Sequence, residues 1–146
     1  MTGFFIDTIF LPWFHIDLAH NKASIVGDGN QPVSFTHRKD VGRLLTQLIL
    51  DDSKEEVIRT GTETKTLNEA FAVYEQIKKS KLQITKETVQ AVQERVKQPG
   101  MDMMAMAVDC LRMAIAEGKA SNKPPLYTGN LKNFITLSDY FSSLSN

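Results

Sequence analysis

Apolar residues recur at helical spacing through most of the chain, and this pattern predicts four to five helices. The first long helix is expected to begin at Asp40, whose carboxylate is the candidate N-cap. Its expected buried face follows at i, i+3, i+4, i+7 and i+8 spacing and consists of Val41, Leu44, Leu45, Leu48 and Ile49. Further helices are expected over about 66–77, 87–98 and 101–117, with a short last helix over about 136–144. Capping-box patterns open the helices at Thr66 and Thr136.

Short strands are predicted between the helices. Lys22–Val26 and Pro32–Thr36 are expected to pair as a β-hairpin, because the glycines of the intervening turn at 27–30 permit positive φ angles. Brief strands are also expected at 57–60 and 82–85, and residues 3–11 are expected to form a short helix that ends before Pro12. The order of elements predicts an α+β fold in which residues 1–146 form a single small domain of short strands and four to five helices.

Composition limits the partners and the location. The chain has 146 residues, of which 42% are hydrophobic and 23% are charged, as in a typical soluble globular domain. Basic and acidic residues number 17 each, so there is no net field to attract nucleic acid or an anionic membrane. The apolar N-terminal segment is interrupted by Asp7 and Pro12, is too short to span a bilayer and lacks the basic residues of a secretion signal. We therefore expect a cytoplasmic protein with no nucleic-acid and no membrane partner.

The sequence gives no indication of metal or nucleophile chemistry. The three histidines, His15, His20 and His37, have no cysteine or carboxylate cluster at zinc-ligand spacing, so no metal site is predicted. Cys110 is the single cysteine and lies in an apolar helical segment, where a buried structural thiol is expected. A G-x-S-x-G motif for a serine nucleophile is absent from the sequence.

Two histidines are candidates for acid–base chemistry. Imidazole titrates near neutral pH, so His15 beside Asp17 and His37 beside Asp40 are the candidate catalytic pairs. Surface or capping roles are the alternative for both histidines.

Several motifs in a fixed order carry a family resemblance. The run KASIVGDGNQPVSFTHRKDVGRLLTQLILDD, then EEVIRTG, then TKTLNEAFAVYEQI, resembles the C-terminal half of NmrA-like and isoflavone-reductase-like proteins. These are atypical short-chain dehydrogenase/reductase relatives, and the version here resembles the fungal branch. Residues 40–43, Asp-Val-Gly-Arg, match the family's helix start, and the opening GFF is similar to the segment after a central strand of its Rossmann sheet. The resemblance covers residues 3–85 well and the helical tail at 86–146 only vaguely.

This resemblance implies the substrate-binding half of an oxidoreductase whose full-length relatives use NADPH. The family's glycine-rich phosphate-binding turn and its catalytic lysine, where present, belong to the other half. The only glycine cluster here, at 27–29, precedes a predicted strand, whereas a phosphate-binding turn precedes a helix. We therefore expect no cofactor-binding residues in this chain and no NADPH binding by the chain alone.

An aromatic group near the N-terminus is the candidate substrate pocket. The resemblance places the GFF segment beside nicotinamide and substrate, which implies that Phe4 and Phe5 line a pocket. Trp13 and Phe14 add a large apolar surface suited to a hydrophobic small molecule. The alternative for these aromatic residues is an ordinary core.

The helix over 101–117 contains five of the six methionines and is apolar around much of its circumference, so burial on two sides is expected. Methionine adapts to varied ligands, and Met104 and Val108 on one face are candidates to line the pocket. A central core helix and a dimer interface are the alternatives. A homodimer or a partner chain is expected to cover the exposed sheet edge.

Three functions remain open at this point. The chain is a secondary-metabolite pocket domain of the oxidoreductase lineage, a stand-alone non-redox isomerase or cyclase of fungal natural-product biosynthesis, or a regulatory or interaction protein. An enclosed pocket with a titratable group would favour the isomerase or cyclase. An exposed apolar patch without a pocket would favour the regulator.

Overall fold

The computed structural model describes residues 3–51, 58–122 and 131–144. Within these ranges the strands are β1 (Phe4–Phe5), β2 (Ile16–Asp17), β3 (Lys22–Val26), β4 (Pro32–Thr36), β5 (Glu63–Thr66) and β6 (Gln83–Glu87). The α-helices are α1 (Ile6–Ile9), α2 (Arg38–Leu50), α3 (Leu67–Lys78), α4 (Val89–Val96), α5 (Met103–Ala116) and α6 (Leu137–Ser143). Short 3₁₀ turns lie at Pro12–Phe14 and Leu18–His20. The predicted α+β class is confirmed.

The strands form two small sheets. One has the order β1-β4-β5, with β1 parallel and β5 antiparallel to β4. The other has the order β2-β3-β6, with β6 parallel and β2 antiparallel to β3. The strand expected at 82–85 is therefore present as β6. Only part of the strand expected at 57–60 lies within the described residues, where Thr60 forms a single bridge.

The predicted hairpin of β3 and β4 is wrong, because the two strands belong to different sheets. Each of them uses both of its edges to pair with other strands, so neither edge is left for the other strand. Gly27 and Gly29 do have positive φ angles, 76° and 80°, but their loop carries the chain between the sheets. Asn68 of α3 fastens this loop by donating from Nδ2 to the Asp28 carbonyl at 3.0 Å and to the Asn30 side chain at 2.7 Å.

The N-terminal segment is divided between a strand and a helix, whereas the sequence predicted one helix over 3–11. Phe4 and Phe5 pair with Phe35 and Thr36 of β4, and the helix is limited to Ile6–Ile9. Gly3 makes this pairing possible, because a Cβ there would lie 2.2 Å from the carbonyl oxygen of Ser34.

Aromatic residues from both halves of the chain meet in the core. Phe10 stacks on Phe35 at a ring-centroid distance of 5.9 Å and meets Phe141 edge-on at 5.0 Å. Tyr74 meets Phe141 edge-on from α3 at 5.4 Å. Both capping boxes are confirmed, at Thr66 for α3 and at Thr136 for α6. The contact of Tyr74 with Phe141 joins α3 to α6 over the core.

Helix α2 begins earlier than predicted, and His37 caps it instead of Asp40. The Nδ1 atom of His37 accepts from the backbone N–H of Lys39 at 3.1 Å. Asp40 is fully buried on the first turn, where its Oδ2 atom accepts from the N–H of Ile135 at 2.7 Å. The expected apolar face is only partly buried. Leu44 and Leu48 are in the core, whereas Leu45, Ile49 and the neighbouring Leu50 are exposed by 54%, 79% and 79%.

Helix α5 also departs from the prediction of burial on two sides. Met103 and Met104 are 83% and 68% exposed, and Cys110 is exposed, so the buried thiol was a wrong prediction. The buried side of the helix instead carries two charged residues, Asp109 and Arg112. None of the described helices is both long enough and apolar enough to cross a bilayer.

Candidate functional site

An apolar cavity of about 360 Å³ lies where β1 and α1 approach α5. The residues that line it are Gly3, Phe4, Phe5, Thr8, Ile9, Trp13, Phe14, Leu111, Lys119, Ala120 and Asn122. All four aromatic residues that the sequence indicated for a pocket are on this wall. A cavity of this size and lining accommodates a small, largely apolar ligand.

The aromatic wall is held by packing and by a tight turn. Phe14 is almost fully buried and meets Phe4 edge-on at 6.1 Å and Trp13 edge-on at 5.4 Å. Pro12 starts the 3₁₀ turn, and His15 ends it with a φ of 61°. Trp13 is 47% exposed, so its indole lies at the boundary between the cavity and solvent.

Met104 and Val108 do not line the cavity, although the sequence analysis named both as candidate lining residues. Val108 belongs to the hydrophobic core, and Met104 is exposed nearer the start of α5. The helix instead contributes Leu111, which lies three residues beyond Val108 on the same side of the helix. The point at which α5 contacts the cavity therefore lies about one turn after Val108.

Polar groups are few on the cavity wall. The hydroxyl of Thr8 donates to the carbonyl of Phe5 at 3.1 Å. Lys119 is the only ionisable residue among the described lining residues, and its side chain is 71% exposed and pairs with Glu117 at 2.6 Å. Asn122 donates from Nδ2 to the carbonyl of Thr60 at 2.9 Å. A ligand would therefore meet mostly hydrocarbon and a few side-chain hydrogen-bonding groups.

His15 lies outside this cavity, on an exposed depression beside β3. Burial lowers the pKa of its imidazole, and the nearby Arg112 guanidinium lowers it further. The suggested pairing with Asp17 is not formed. Asp17 instead accepts from the Nδ1 of His20 at 2.8 Å and caps the short 3₁₀ turn at 18–20.

His37 also lies outside the cavity, at the start of α2. Its Nδ1 lone pair is used by the backbone of Lys39, and its ring lies 6.4 Å from that of Tyr140. Asp40 instead accepts from Arg43 at 2.9 Å and from the Ile135 N–H. The suggested His37–Asp40 pair is therefore not formed, and capping is the role that the structure gives this histidine.

A partly buried charge network joins α4 and α5 to the second sheet, and the sequence did not indicate it. Asp109 accepts from Arg95 at 2.8 Å and from Arg112 at 2.9 Å, while Glu87 accepts from Arg95 at 2.7 Å and from Arg112 at 2.6 Å. Arg112 also donates to the hydroxyl of Ser24 at 3.0 Å. The only sequence signal was the i, i+3 spacing of Asp109 and Arg112, which is more often found on a solvated helix face.

The network perturbs the carboxylates strongly. Burial would raise the pKa of Glu87, but the hydrogen bonds from Arg95, Arg112 and Ser24 lower it to about 2. Burial likewise opposes ionisation of Asp109, yet the two arginines hold its pKa below the usual value. The Arg95 pKa is raised by the same two carboxylates. Glu87, Asp109 and Arg95 are therefore charged at neutral pH, and the network is structural.

The glycine turn at 27–29 does not fit dinucleotide phosphates. It leads into β4 and not into a helix, and a Cβ on Gly29 would already lie 2.7 Å from Ile25 and 2.8 Å from Asn68. The N–H of Asn68 at the start of α3 donates to the Gly29 carbonyl at 3.2 Å, so this helix terminus is occupied by the chain itself. Across 3–51, 58–122 and 131–144, no three histidine, cysteine or acidic residues are grouped to hold a metal ion.

No protein-family model and no curated protein sequence matches this chain. Solved structures do match. Isoflavone reductase has a TM-score of 0.78 at 16% identity, over 96% of this chain and 50% of its own length. A nucleoside-diphosphate-sugar epimerase from Staphylococcus aureus has a TM-score of 0.71 at 14% identity, over 97% of this chain and 50% of its own. Triphenylmethane reductase from Citrobacter sp., described as complexed with NADP(H), has a TM-score of 0.63 at 14% identity, over 96% of this chain and 50% of its own.

This chain therefore spans about half the length of the solved chains that it matches. At these identities the likeness establishes the fold: a small α+β arrangement that corresponds to half of an isoflavone-reductase-like protein.

Proposed function

We propose that this chain is the hydrophobic small-molecule pocket portion, of C-terminal type, of an NmrA-like or isoflavone-reductase-like oxidoreductase. The observation that carries the proposal is the 360 Å³ cavity walled by Phe4, Phe5, Trp13 and Phe14. It lies in a chain whose fold matches half of isoflavone reductase. The resemblance of the motifs to the fungal branch of the family directs the proposal to a secondary metabolite as the ligand.

Redox activity in this proposal requires a dinucleotide-binding domain from a longer form of the chain or from another chain. The glycine turn at 27–29 is filled by Ile25 and Asn68, so it offers no cradle for phosphates. The matched reductase described with NADP(H) is twice as long as the part that this chain covers. NADPH is accordingly a cofactor of the assembled enzyme and not of these residues alone.

The test is calorimetry of NADPH with the purified 146-residue chain, together with Trp13 fluorescence in the presence of an apolar aromatic probe such as 2-naphthol. We expect no heat at micromolar NADPH and a saturable change in fluorescence with the probe. Trp13 is the only tryptophan and lines the cavity, so its signal reports on this site. Saturable micromolar binding of NADPH would contradict the proposal that another domain binds the cofactor. Unchanged Trp13 fluorescence in the presence of the probe would contradict ligand binding in the cavity.

The alternative of a stand-alone isomerase or cyclase gains no support from the site geometry. Neither His15 nor His37 lines the cavity, and Lys119 is the only ionisable side chain among its described lining residues. The exposed ion pair of Lys119 with Glu117 points to an ordinary surface cation. The pocket-domain proposal is therefore preferred.

A protein partner belongs to the same proposal. Leu45, Ile49 and Leu50 on α2, and Met103 and Met104 on α5, are large apolar side chains left exposed. Such side chains support coverage by the dinucleotide-binding domain or by a second copy of the chain. Sedimentation velocity distinguishes these partners, since a second copy gives a dimer that Ile49→Glu or Met104→Glu would weaken. A monomer at all concentrations would exclude a second copy of the chain and leave the dinucleotide-binding domain as the proposed partner.

A further inference from the structure

Asn122 is held on the cavity wall through both its backbone and its side chain. Its backbone N–H donates to the hydroxyl oxygen of Ser34 at 2.9 Å, and its Nδ2 donates to the carbonyl of Thr60 at 2.9 Å. A backbone carbonyl accepts hydrogen bonds and does not donate them, so the amide nitrogen must face Thr60. This fixes the orientation of the amide, which is otherwise ambiguous for asparagine.

The fixed orientation leaves Oδ1 as the amide atom without a partner among the residues that the structure describes. A side-chain carbonyl oxygen accepts up to two hydrogen bonds, and Asn122 lies on the cavity wall. The unused capacity of the side chain is therefore the Oδ1 acceptor and the second N–H of Nδ2, on a residue that is anchored through its backbone N–H and the other Nδ2 hydrogen. A polar acceptor beside an apolar cavity favours a ligand that brings a donor to it.

The other polar groups on the wall compete poorly for this role. The Thr8 hydroxyl proton is committed to the Phe5 carbonyl, and the remaining lone pairs of a hydroxyl oxygen are weaker acceptors than an amide oxygen. Lys119 offers only donors, and its ammonium group is exposed and paired with Glu117. Recognition of a ligand hydroxyl or N–H in an otherwise apolar site thus falls mainly to Asn122.

Building on the proposed function of the cavity, we infer that Asn122 is its specificity-determining residue. Its Oδ1 atom selects flat apolar ligands that carry a hydroxyl or N–H donor over matched ligands in which that donor is blocked. The aromatic wall binds both kinds of ligand with similar affinity. The amide of Asn122 distinguishes the ligand that carries a donor from the one in which the donor is blocked.

The test uses 2-naphthol and 2-methoxynaphthalene, which share the ring system and differ in one donor. Binding is followed by the fluorescence of Trp13 or by calorimetry. Wild-type protein is expected to bind 2-naphthol about threefold to tenfold more tightly than the ether, the range for one neutral hydrogen bond. This comparison uses only the unmutated protein, so it does not depend on whether a variant folds.

Two variants separate recognition from structure. Asn122→Leu removes both the donor to Thr60 and the acceptor, whereas Asn122→Asp removes the donor and keeps an acceptor oxygen. We expect the preference for 2-naphthol to disappear in Asn122→Leu and to persist in Asn122→Asp. A purely structural role would weaken both probes equally in both variants. Thr8→Val is the matched control and is expected to keep the preference.

The outcomes distinguish this inference from the proposal on which it rests. Equal affinities for the two probes in wild-type protein would overturn the role of Asn122 and leave the apolar pocket standing. Loss of the preference in Thr8→Val but not in Asn122→Leu would assign the role to Thr8. Tighter binding of 2-naphthoate than of 2-naphthol would assign recognition to Lys119. Failure of wild-type protein to bind any probe would overturn the pocket itself.

Discussion

Arg112 donates through Nη1 to the Oδ1 atom of Asp109 at 2.9 Å, and only 3% of either side chain is exposed. An oppositely charged pair at i, i+3 on a helix normally lies in solvent, where it contributes little to stability. Helix α5 turns this pair inward because Arg95 and Glu87 balance its charges and supply most of its hydrogen bonds, although the Nε of Arg112 has no partner within the described part of the chain. The network therefore fixes α4 and α5 against β3 and β6. Removing one of its side chains is expected to lower the free energy of unfolding.

Truncation of Asp109 is expected to destabilise the protein severely. Asp109→Ala leaves Arg95 and Arg112 to share Glu87, and the Nη1 group of the buried Arg112 loses its acceptor. Breaking a buried ion pair on one side costs about 3–5 kcal/mol. Urea denaturation measures the loss in the free energy of unfolding. Glu117→Ala breaks the exposed pair with Lys119 and is the control, with an expected loss below about 1 kcal/mol. Similar losses in the two variants would contradict the buried network.

The same network predicts how stability depends on pH. The pKa of Glu87 is about 2 in the folded protein against an ordinary 4.5, because the arginine hydrogen bonds outweigh burial. A lowered folded pKa contributes stability above the unfolded pKa, and that stability is lost as pH falls through the interval between the two values. Wild-type protein should therefore lose about 3 kcal/mol or less from this group between pH 4.5 and pH 2.

Glu87→Gln isolates this contribution. The variant is expected to be less stable at neutral pH and to show a shallower fall in the free energy of unfolding over the same acidic interval. Asp109, whose pKa is also lowered, still titrates in the variant and leaves a residual slope. Equal slopes for wild type and Glu87→Gln in urea titrations at a series of pH values would rule out the contribution of Glu87.

The sequence predicted most local elements because their signals are local. The capping boxes at Thr66 and Thr136 depend on residues three apart, and both helices begin there. The pairing of β3 and β4 depends on which strands compete for their edges, and β6 lies more than fifty residues away from β3 in the chain. Burial of Asp109 likewise depends on Glu87 and Arg95 from other elements. Neither outcome is encoded in the spacing of nearby residues.

Two substitutions at the start of α2 test which residue caps it. His37→Ala removes the Nδ1 acceptor of the Lys39 N–H and is expected to cost about 1 kcal/mol, as for other N-caps. Asp40→Ala leaves the Ile135 N–H and the Arg43 guanidinium without their buried acceptor and is expected to cost about 2 kcal/mol or more. Thermal and urea unfolding measure both. A larger loss in His37→Ala than in Asp40→Ala would contradict the assigned roles.

Only part of the candidate site could be predicted from the sequence. Phe4 and Phe5 were indicated by a resemblance, and Trp13 and Phe14 by their position in the same apolar segment; all four line the cavity. Asn122 and Leu111 come from a distant part of the chain, and nothing in their neighbours in sequence marks them. Their place on the wall follows from the packing of α5 and the segment after it, which is a tertiary property.

Gly3 is expected to be intolerant of any side chain because it lies where β1 meets β4. A Cβ there would lie 2.2 Å from the oxygen and 2.6 Å from the carbonyl carbon of Ser34, and backbone atoms cannot rotate away. Gly3→Ala should therefore cost about 3 kcal/mol and, since Gly3 lines the cavity, also weaken the response of Trp13 to 2-naphthol. Urea unfolding and fluorescence titration measure the two effects.

Gly42→Ala is the matched control, because a Cβ at this position in α2 meets nothing within 4 Å. Alanine is the better helix former, so this variant should gain about 0.5–1 kcal/mol in the free energy of unfolding and leave ligand binding unchanged. The two glycines differ in their surroundings and in their secondary structure, and opposite signs are expected from the same substitution. If Gly3→Ala were as stable as wild type, β1 could not approach β4 as closely as described. The position of Gly3 on the cavity wall would then be wrong.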